Sequence, residues 1–261
     1  MTINDAVKLP DNENKNIASI YFSLLRENKL FCHLSTFYKY ASLCGRYRKK
    51  YTAIPKPNKY RAERIFQQIH IDTTFMMTED DGKQRIVFVK DNYSKALLHK
   101  AIVPAGDSKY IKNILQECFI KHQLTIKSYN PCIITDGGSE NKGEVDKWIR
   151  LFKDKNLTKI IANDGNTISN NMVESCNHFF KNVFLQGKIP KSKSNLLVML
   201  DEFEEYYNYT WFPIEFYGLS PYEVLKGEIP DKNKFKTEIL EARKRRIAEN
   251  QSFDSQFCKL C

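Results

Sequence analysis

The sequence predicts an α/β fold, on three observations. Short runs rich in β-branched residues alternate with longer stretches whose apolar residues recur every three or four positions. The alternation runs from about residue 66 to about residue 209, long enough for one good-sized domain plus small appendages in a chain of 261 residues. Hydrophobic residues make up 42%, and 17 Phe and 14 Tyr are ample for a core between a sheet and its helices.

Residues 1–15 are polar and are expected to be disordered. Two helical patterns follow, NIASIYFSLLRENK and STFYKYASLCG, joined by LFCHL, with Ser35 and Thr36 as the expected N-cap of the second. Two helices followed by basic residues suggest a helix-turn-helix, in which Thr36, Lys39 and Tyr40 would face a DNA groove. The bland alternative is an ordinary helical hairpin packed on the core. The next stretch is basic: Arg46, Arg48, Lys49, Lys50, Lys56, Lys59, Arg61 and Arg64 face one acid, Glu63. Pro55 and Pro57 keep it extended and Tyr47, Tyr51 and Tyr60 are interleaved, a composition suited to tracking phosphates.

The core reads as strands at 67–75, 84–92 and 96–103, with Glu79-Asp80-Asp81-Gly82 as a hairpin turn. A helix at 108–122 turns Ile111, Ile114, Leu115 and Cys118 inward. Then come a short buried strand at 131–135, a helix at 144–152, a strand at 157–162, a helix from Met172 and another at 192–209. The charged end of the chain contains EILEARKRRIAEN, a helical pattern. The expected division is therefore 1–50 as a helix-turn-helix-like DNA-binding region with a disordered start and 51–65 as a basic linker. Residues 66–230 would form the α/β core, and 231–261 a charged helical tail.

The net charge of +10 favours nucleic acid as a partner, although charge alone would also suit a membrane surface. No apolar run approaches the roughly 20 residues that span a bilayer, and the start lacks a signal-peptide pattern, so the expected location is cytoplasmic. Seven scattered cysteines argue against a disulfide framework. Cys258 and Cys261 form a CxxC without a second pair at matching spacing, which favours reduced thiols over zinc.

The chemistry centres on GNTISNNMVESCNHFFKN. From Met172 it is amphipathic: Val173, Cys176, Phe180 and Val183 line one side, and Glu174, Asn177, His178 and Lys181 the other. Glu174 and Lys181 lie two turns apart on one stripe, and Ser169 or Asn170 can cap the helix. An isolated helical Glu is usually only solvated. Two aspartates change that weighting: Asp72 in IHIDTTF and Asp136 in CIITDGGSEN, each on or just past a strand.

These blocks, with YYNYTWFPIEFYGLSPYEVLKG, resemble those of integrase-type transposases of bacterial insertion sequences. That group is retroviral-integrase-like and carries a catalytic Asp-Asp-Glu triad. GNTISNNMVES is similar to the motif around the family's Glu, and TDGGSEN to that around its second Asp. IHIDTTF resembles the block around the first, where Ile69 and His70 occupy the neighbourhood of a usual Trp. The likeness covers about residues 60–227. It implies a ribonuclease-H-like fold: a mixed five-stranded sheet flanked by helices, whose first strand neighbours the strand bearing the second Asp.

The resemblance further implies that Asp72, Asp136 and Glu174 are catalytic and bind two Mg2+ or Mn2+ ions for attack on a phosphodiester. Lys181 would hold a DNA phosphate, and Asn170 and Asn141 would order the surrounding loops. Arg46, Arg48, Lys49 and Lys50 would contact DNA beside Thr36 and Lys39. The implied partners are terminal inverted repeats, target DNA and further copies of the chain, in a bacterial cytoplasm at the nucleoid, with no membrane. Two departures stand out: the interval from Asp136 to Glu174 is slightly long, and Trp211 and Pro213 replace a usual Arg and His. A nuclease of the same fold and a DNA-binding regulator that has lost catalysis are the alternative functions.

Overall fold

Eleven residues, the first four all buried, begin the core: Gln68–Thr78 forms strand β1, pairing antiparallel with β2, Gly82–Asp91. Thr78 faces Gly82 across the turn, where a φ of +66° suits glycine, and the Thr78 hydroxyl donates to the Gly82 carbonyl at 3.0 Å. The structure, a computed structural model, describes residues 2–9, 12, 15–47, 61–152, 156–162 and 170–257. Strand β3 is Leu97–Val103, antiparallel to β2 with a register shift between Val89 and Lys90. Strands β4, Cys132–Thr135, and β5, Thr158–Ile161, run parallel to β1 and to each other. The order β3-β2-β1-β4-β5 is the mixed five-stranded sheet that the resemblance implies, with β1 beside β4.

The chain divides into two compact units. The helices of the first are α1 (Ile3–Lys8), α2 (Ile17–Arg26) and α3 (Leu34–Leu43). The sheet unit adds α4 (Ser108–Lys121), a single turn α5 (Ile126–Tyr129), α6 (Glu144–Arg150), α7 (Asn171–His178) and α8 (Lys193–Glu205). The short α9 (Pro221–Leu225) belongs with the sheet, and α10 (Lys236–Phe257) with the first unit.

Period-two alternation gives the sheet two apolar faces. On one, Ile69, Ile71, Val87, Val89 and Ile133 pack with Ile111, Leu115 and Cys118 of α4 and Val145 and Trp148 of α6. The other is aromatic: Phe88 meets Phe180 at 5.7 Å and Phe203 at 6.0 Å, and Phe180 meets Phe203 at 5.0 Å. This second face carries α7, which packs on β1 and β2. Beyond His178 that helix continues as a π-helical turn, Phe179–Phe184, and α8 likewise continues over Tyr206–Thr210. The sequence predicted unbroken α-helices at both places.

At the end of β2, Asp91 is fully buried. Its carboxylate accepts from Phe66 N–H at 2.8 Å and from Ser94 N–H and hydroxyl, both at 2.7 Å. Burial nevertheless pushes the carboxyl up to about 6. A carboxyl raised above its unfolded value of 3.8 adds stability below that value and loses it as pH rises through about 6. The advantage in melting temperature of the parent over Asp91→Asn should therefore be larger at pH 4 than at pH 7, and level above pH 7. A difference that does not change with pH would contradict this.

The first unit is assembled from residues 1–52, 210–220 and 228–261. Its boundaries differ from the expected division, which placed 210–220 in the core and made 231–261 a separate tail. Ile17, Ile20, Phe22, Leu25, Phe37 and Ala41 form one cluster with Phe212 and Ile239. Arg26 donates to the Gly218 carbonyl at 2.8 Å and lies 5.1 Å over the Phe212 ring, and Arg246 donates to the Phe31 carbonyl at 2.9 Å. The altered signature around Trp211 and Pro213 thus flanks a core residue.

Two local expectations for the same unit are corrected, and one basic side chain has partners the sequence did not indicate. Residues 3–8 are helical, because Thr2 and Asp5 form a capping box and Ala6 and Val7 are buried. The N-cap of α3 is His33, without a side-chain cap bond, so Ser35 and Thr36 lie inside the helix. Arg46 turns inward: its guanidinium donates to the Asn12 carbonyl at 3.2 Å and the Lys15 carbonyl at 2.9 Å.

Candidate active site

Parallel pairing of β1 with β4 aligns Ile69 with Ile133 and His70 with Ile134, and the same offset carries Asp72 to Asp136. Successive side chains alternate between the two faces, so Asp72 shares the face of His70 rather than that of Ile69 and Ile71. That is the face on which α7 lies, with Glu174 in its first turn.

Each aspartate is held by an amide. Asn177, one turn beyond Glu174, donates to Asp72 Oδ2 at 2.6 Å. Asp136 Oδ1 accepts from Gly138 N–H at 3.0 Å and from Asn141 Nδ2 at 2.5 Å. Burial, with lesser contributions from the charges of Asp136 and Glu174, pushes the Asp72 carboxyl up to about 6. Lys181, a further turn along, is shifted down by burial, and the Asp72 charge opposes that shift. One helix stripe therefore presents Glu174, Asn177 and Lys181 to the strand bearing Asp72.

Behind these groups the helix is tied to the sheet. Asn170 occupies the N-cap position of α7, yet its side chain does not cap. Its Oδ1 meets His70 Nδ1 at 3.1 Å, and its Nδ2 donates to the Ile71 carbonyl at 3.2 Å. His70 Nε2 meets Asn92 Nδ2 at 2.9 Å, and Asn92 Oδ1 accepts from Ala62 N–H at 3.1 Å. Because the Asn92 amide donates, His70 Nε2 accepts and its Nδ1 carries the proton toward Asn170. Burial pushes this imidazole down to about 4, so it is neutral. Lys90, fully buried, donates to the Met172 carbonyl at 3.2 Å and to the Tyr207 hydroxyl at 2.5 Å. Burial pushes its ammonium down to about 8.

The donor set suits a hard divalent cation: three carboxylates offer oxygen, and Asp72 gains from any positive charge that offsets its neighbours. The Asn177 Oδ1 is buried without a hydrogen-bond partner, an acceptor beside Asp72 that a metal-bound water would satisfy. Among the described residues no three His, Cys, Asp or Glu side chains stand together as a ready-made cage. Mg2+ commonly binds through one or two carboxylates and completes its shell with substrate phosphates, so an incomplete cage fits it.

Of the other expected DNA contacts, Thr36 and Lys39 lie on α3 in the first unit, with Lys39 exposed and Thr36 half-buried. Arg46 is the inward tether described above. Arg48, Lys49, Lys50, the Gly165–Ser169 part of the Glu174 motif and the terminal CxxC lie outside the described residues. Sequence reasoning missed Asn177 as the partner of Asp72, although its place on the Glu174 face was the available signal. It also missed Lys90 and Asn92, which it placed only at the end of the strand 84–92.

Among the described residues, no helix is long and apolar enough to cross a membrane. No protein-family model and no curated protein matches the sequence. Solved structures do. The catalytic core domain of BIV integrase shares 16% identity over 62% of this chain and 94% of that one, with a TM-score of 0.46. The HTLV-2 integrase catalytic core in complex with magnesium, in its trimeric form, shares 13% identity over 63% and 99%, with a TM-score of 0.48. A chain of the simian T-cell lymphotropic virus intasome, solved with PP2A regulatory subunit B56 gamma, shares 12% identity over 88% and 78%, with a TM-score of 0.52. With its mixed five-stranded sheet and flanking helices, the chain has an integrase-like fold.

Proposed function

We propose that this protein is a DNA transposase or integrase that cleaves phosphodiesters at the ends of a mobile element and transfers the strands into target DNA. The observation that carries the reading is the strand register that brings Asp136 beside Asp72, under the helix that bears Glu174 on the same face of an integrase-like sheet. These three residues would hold Mg2+ or Mn2+, which when bound activates an attacking oxygen and stabilises the leaving one. Asn177 fixes the rotamer of Asp72, and Asn170 anchors the start of α7, so the carboxylates keep their positions while substrate enters. Lys181 supplies positive charge for a DNA phosphate beside them.

In the first unit, α2 is buried along most of its length, whereas α3 leaves Lys39 exposed, Tyr40 49% exposed and Leu43 73% exposed. DNA reading by Thr36, Lys39 and Tyr40 rests on that free face. Phosphate contact by Arg48, Lys49 and Lys50 rests on their charge alone, and the inward bonds of Arg46 assign it a structural part. The BIV and HTLV-2 proteins are named as integrases and the simian viral chain as part of an intasome. An assembly of several copies on DNA is the corresponding expectation here, with a bacterial insertion sequence as the source.

Nicking of supercoiled plasmid by the purified chain, dependent on Mg2+ or Mn2+, tests the reading. Failure of a folded, DNA-binding protein to nick would leave only the regulator, whereas nicking without strand transfer would mark a nuclease. Binding should weaken steeply with salt, and Lys39→Ala should reduce the slope of log affinity against log salt by about 0.9. An unchanged slope would remove Lys39 from the interface.

A further inference from the structure

A half-buried cation stands behind Asp136. Lys159 lies on β5, opposite Ile133 of β4, and its side chain is only 10% exposed. The ammonium donates to the Asn141 carbonyl at 2.5 Å and forms an ion pair with Asp146 of α6. Asn141 is itself buried at 3% exposure and ends the single turn Ser139–Asn141 that follows the Asp136 loop. Its side-chain amide is one of the two donors to Asp136 Oδ1. The backbone of Asn141 is thus held from one side by Lys159, while its side chain holds Asp136 on the other.

We infer that Lys159 is a positioning residue for Asp136, acting through Asn141 to set the direction of that carboxylate toward a divalent cation. The inference rests on the proposed reading of Asp136 as a metal ligand. Two features support it beyond proximity. Among the described residues both bonds to Asp136 fall on Oδ1, so Oδ2 is the oxygen left to ligate. The Gly138 donor is local to the Asp136 turn and cannot fix the turn as a whole, whereas Lys159 and Asp146 join that turn to an adjacent strand and to a helix. A buried ammonium is costly unless paired, and this one satisfies a backbone acceptor and a carboxylate together.

The test uses the metal-free full chain and Mn2+ as probe. Calorimetric Mn2+ affinity should fall about tenfold in Lys159→Met, the lower end of the loss seen when a partner of a ligand is removed. Lys159→Arg, which keeps the charge and the donors, should recover most of it. In the same metal-free protein, the Asn141 side-chain amide protons should exchange with solvent faster in Lys159→Met than in the parent. Plasmid nicking should need correspondingly more Mn2+ while keeping its plateau within a few-fold. If Lys159→Met does not fold, Asn141→Ser removes the same donor from Asp136 without disturbing the ion pair and should give the same affinity loss. A lower melting temperature with Mn2+ affinity unchanged within twofold, in either variant, would make Lys159 a structural ion pair and overturn the inference. Asp136→Asn is the control: if it binds Mn2+ as well as the parent, the reading of Asp136 as a ligand fails, and the inference fails with it.

Discussion

Glu174→Gln should abolish strand cleavage and strand transfer while leaving the protein folded. Glu174 is exposed on the first turn of α7, and the buried side of that helix, Val173 and Cys176, is untouched by the change. Gln is nearly isosteric and an equally good helix former, so melting should hold or rise slightly as repulsion toward Asp72 is relieved. Loss of one preorganised electrostatic group costs about 10²–10³ in rate, and both reactions should drop by at least that much. DNA binding should survive, because its expected determinants lie on α3 and in phosphate contacts. A merely solvated Glu174 predicts the reverse: activity within about twofold of the parent and a stability change within about 0.5 kcal/mol. Melting, DNA binding and nicking measured on this variant separate the two. Normal nicking would remove the triad and with it the proposed mechanism.

The second large effect concerns stability. Phe203 of α8 is fully buried, with ring centroids 5.0 Å from Phe180, 5.3 Å from Phe184 and 5.3 Å from Tyr207. It is the hub through which α8 supports the helical segment following Glu174. Phe203→Ala removes that volume from a packed layer and should destabilise the sheet unit by about 3–5 kcal/mol. Leu197→Ala on the same helix, at a side chain 44% exposed, should change stability by no more than about 0.5 kcal/mol. Denaturant melts of the two variants check the contrast. A Phe203→Ala cost near that of Leu197→Ala would mean the aromatic layer collapses to fill the gap. Nicking by Phe203→Ala at a permissive temperature should also fall, since Glu174 and Asn177 ride on the helix that Phe180 continues.

The sheet was legible because its strands carry their own signal. Ile69 and Ile71 alternate with His70 and Asp72, Ile86–Val89 is a continuous β-branched and aromatic run, and the run before Asp136 is too short and too branched for a helix. The neighbourhood of Asp72 and Asp136 came from the resemblance, since periodicity does not dictate strand order. What escaped the sequence was set by distant partners. Lys90 ends KQRIVFVK with nothing local to mark it, because its contacts are Met172 and Tyr207, far along the chain. His70 and Asn170 lie nearly as far apart, and their bond replaces the side-chain cap that local reasoning assigned to Asn170. Arg46 likewise has partners that a basic stretch does not announce, two backbone carbonyls more than thirty residues earlier in the chain. The first helix was missed because six residues with only Ala6 and Val7 buried hold too little pattern to register.

The makeup of the first unit bears on how the molecule is born. Its apolar cluster joins Ile20, Phe22 and Phe37 to Phe212 and Ile239, residues at opposite ends of the chain. During synthesis at roughly 5–20 residues per second, the early helices emerge long before the segments that cover them are made. The sheet unit, whose residues run from 53 to 209 apart from 221–227, is nearly complete while the cluster around α2 still lacks Phe212 and Ile239. Nascent chains stalled before residue 210 should therefore engage chaperones through this cluster, and release should come only once Phe212 and Ile239 have been made.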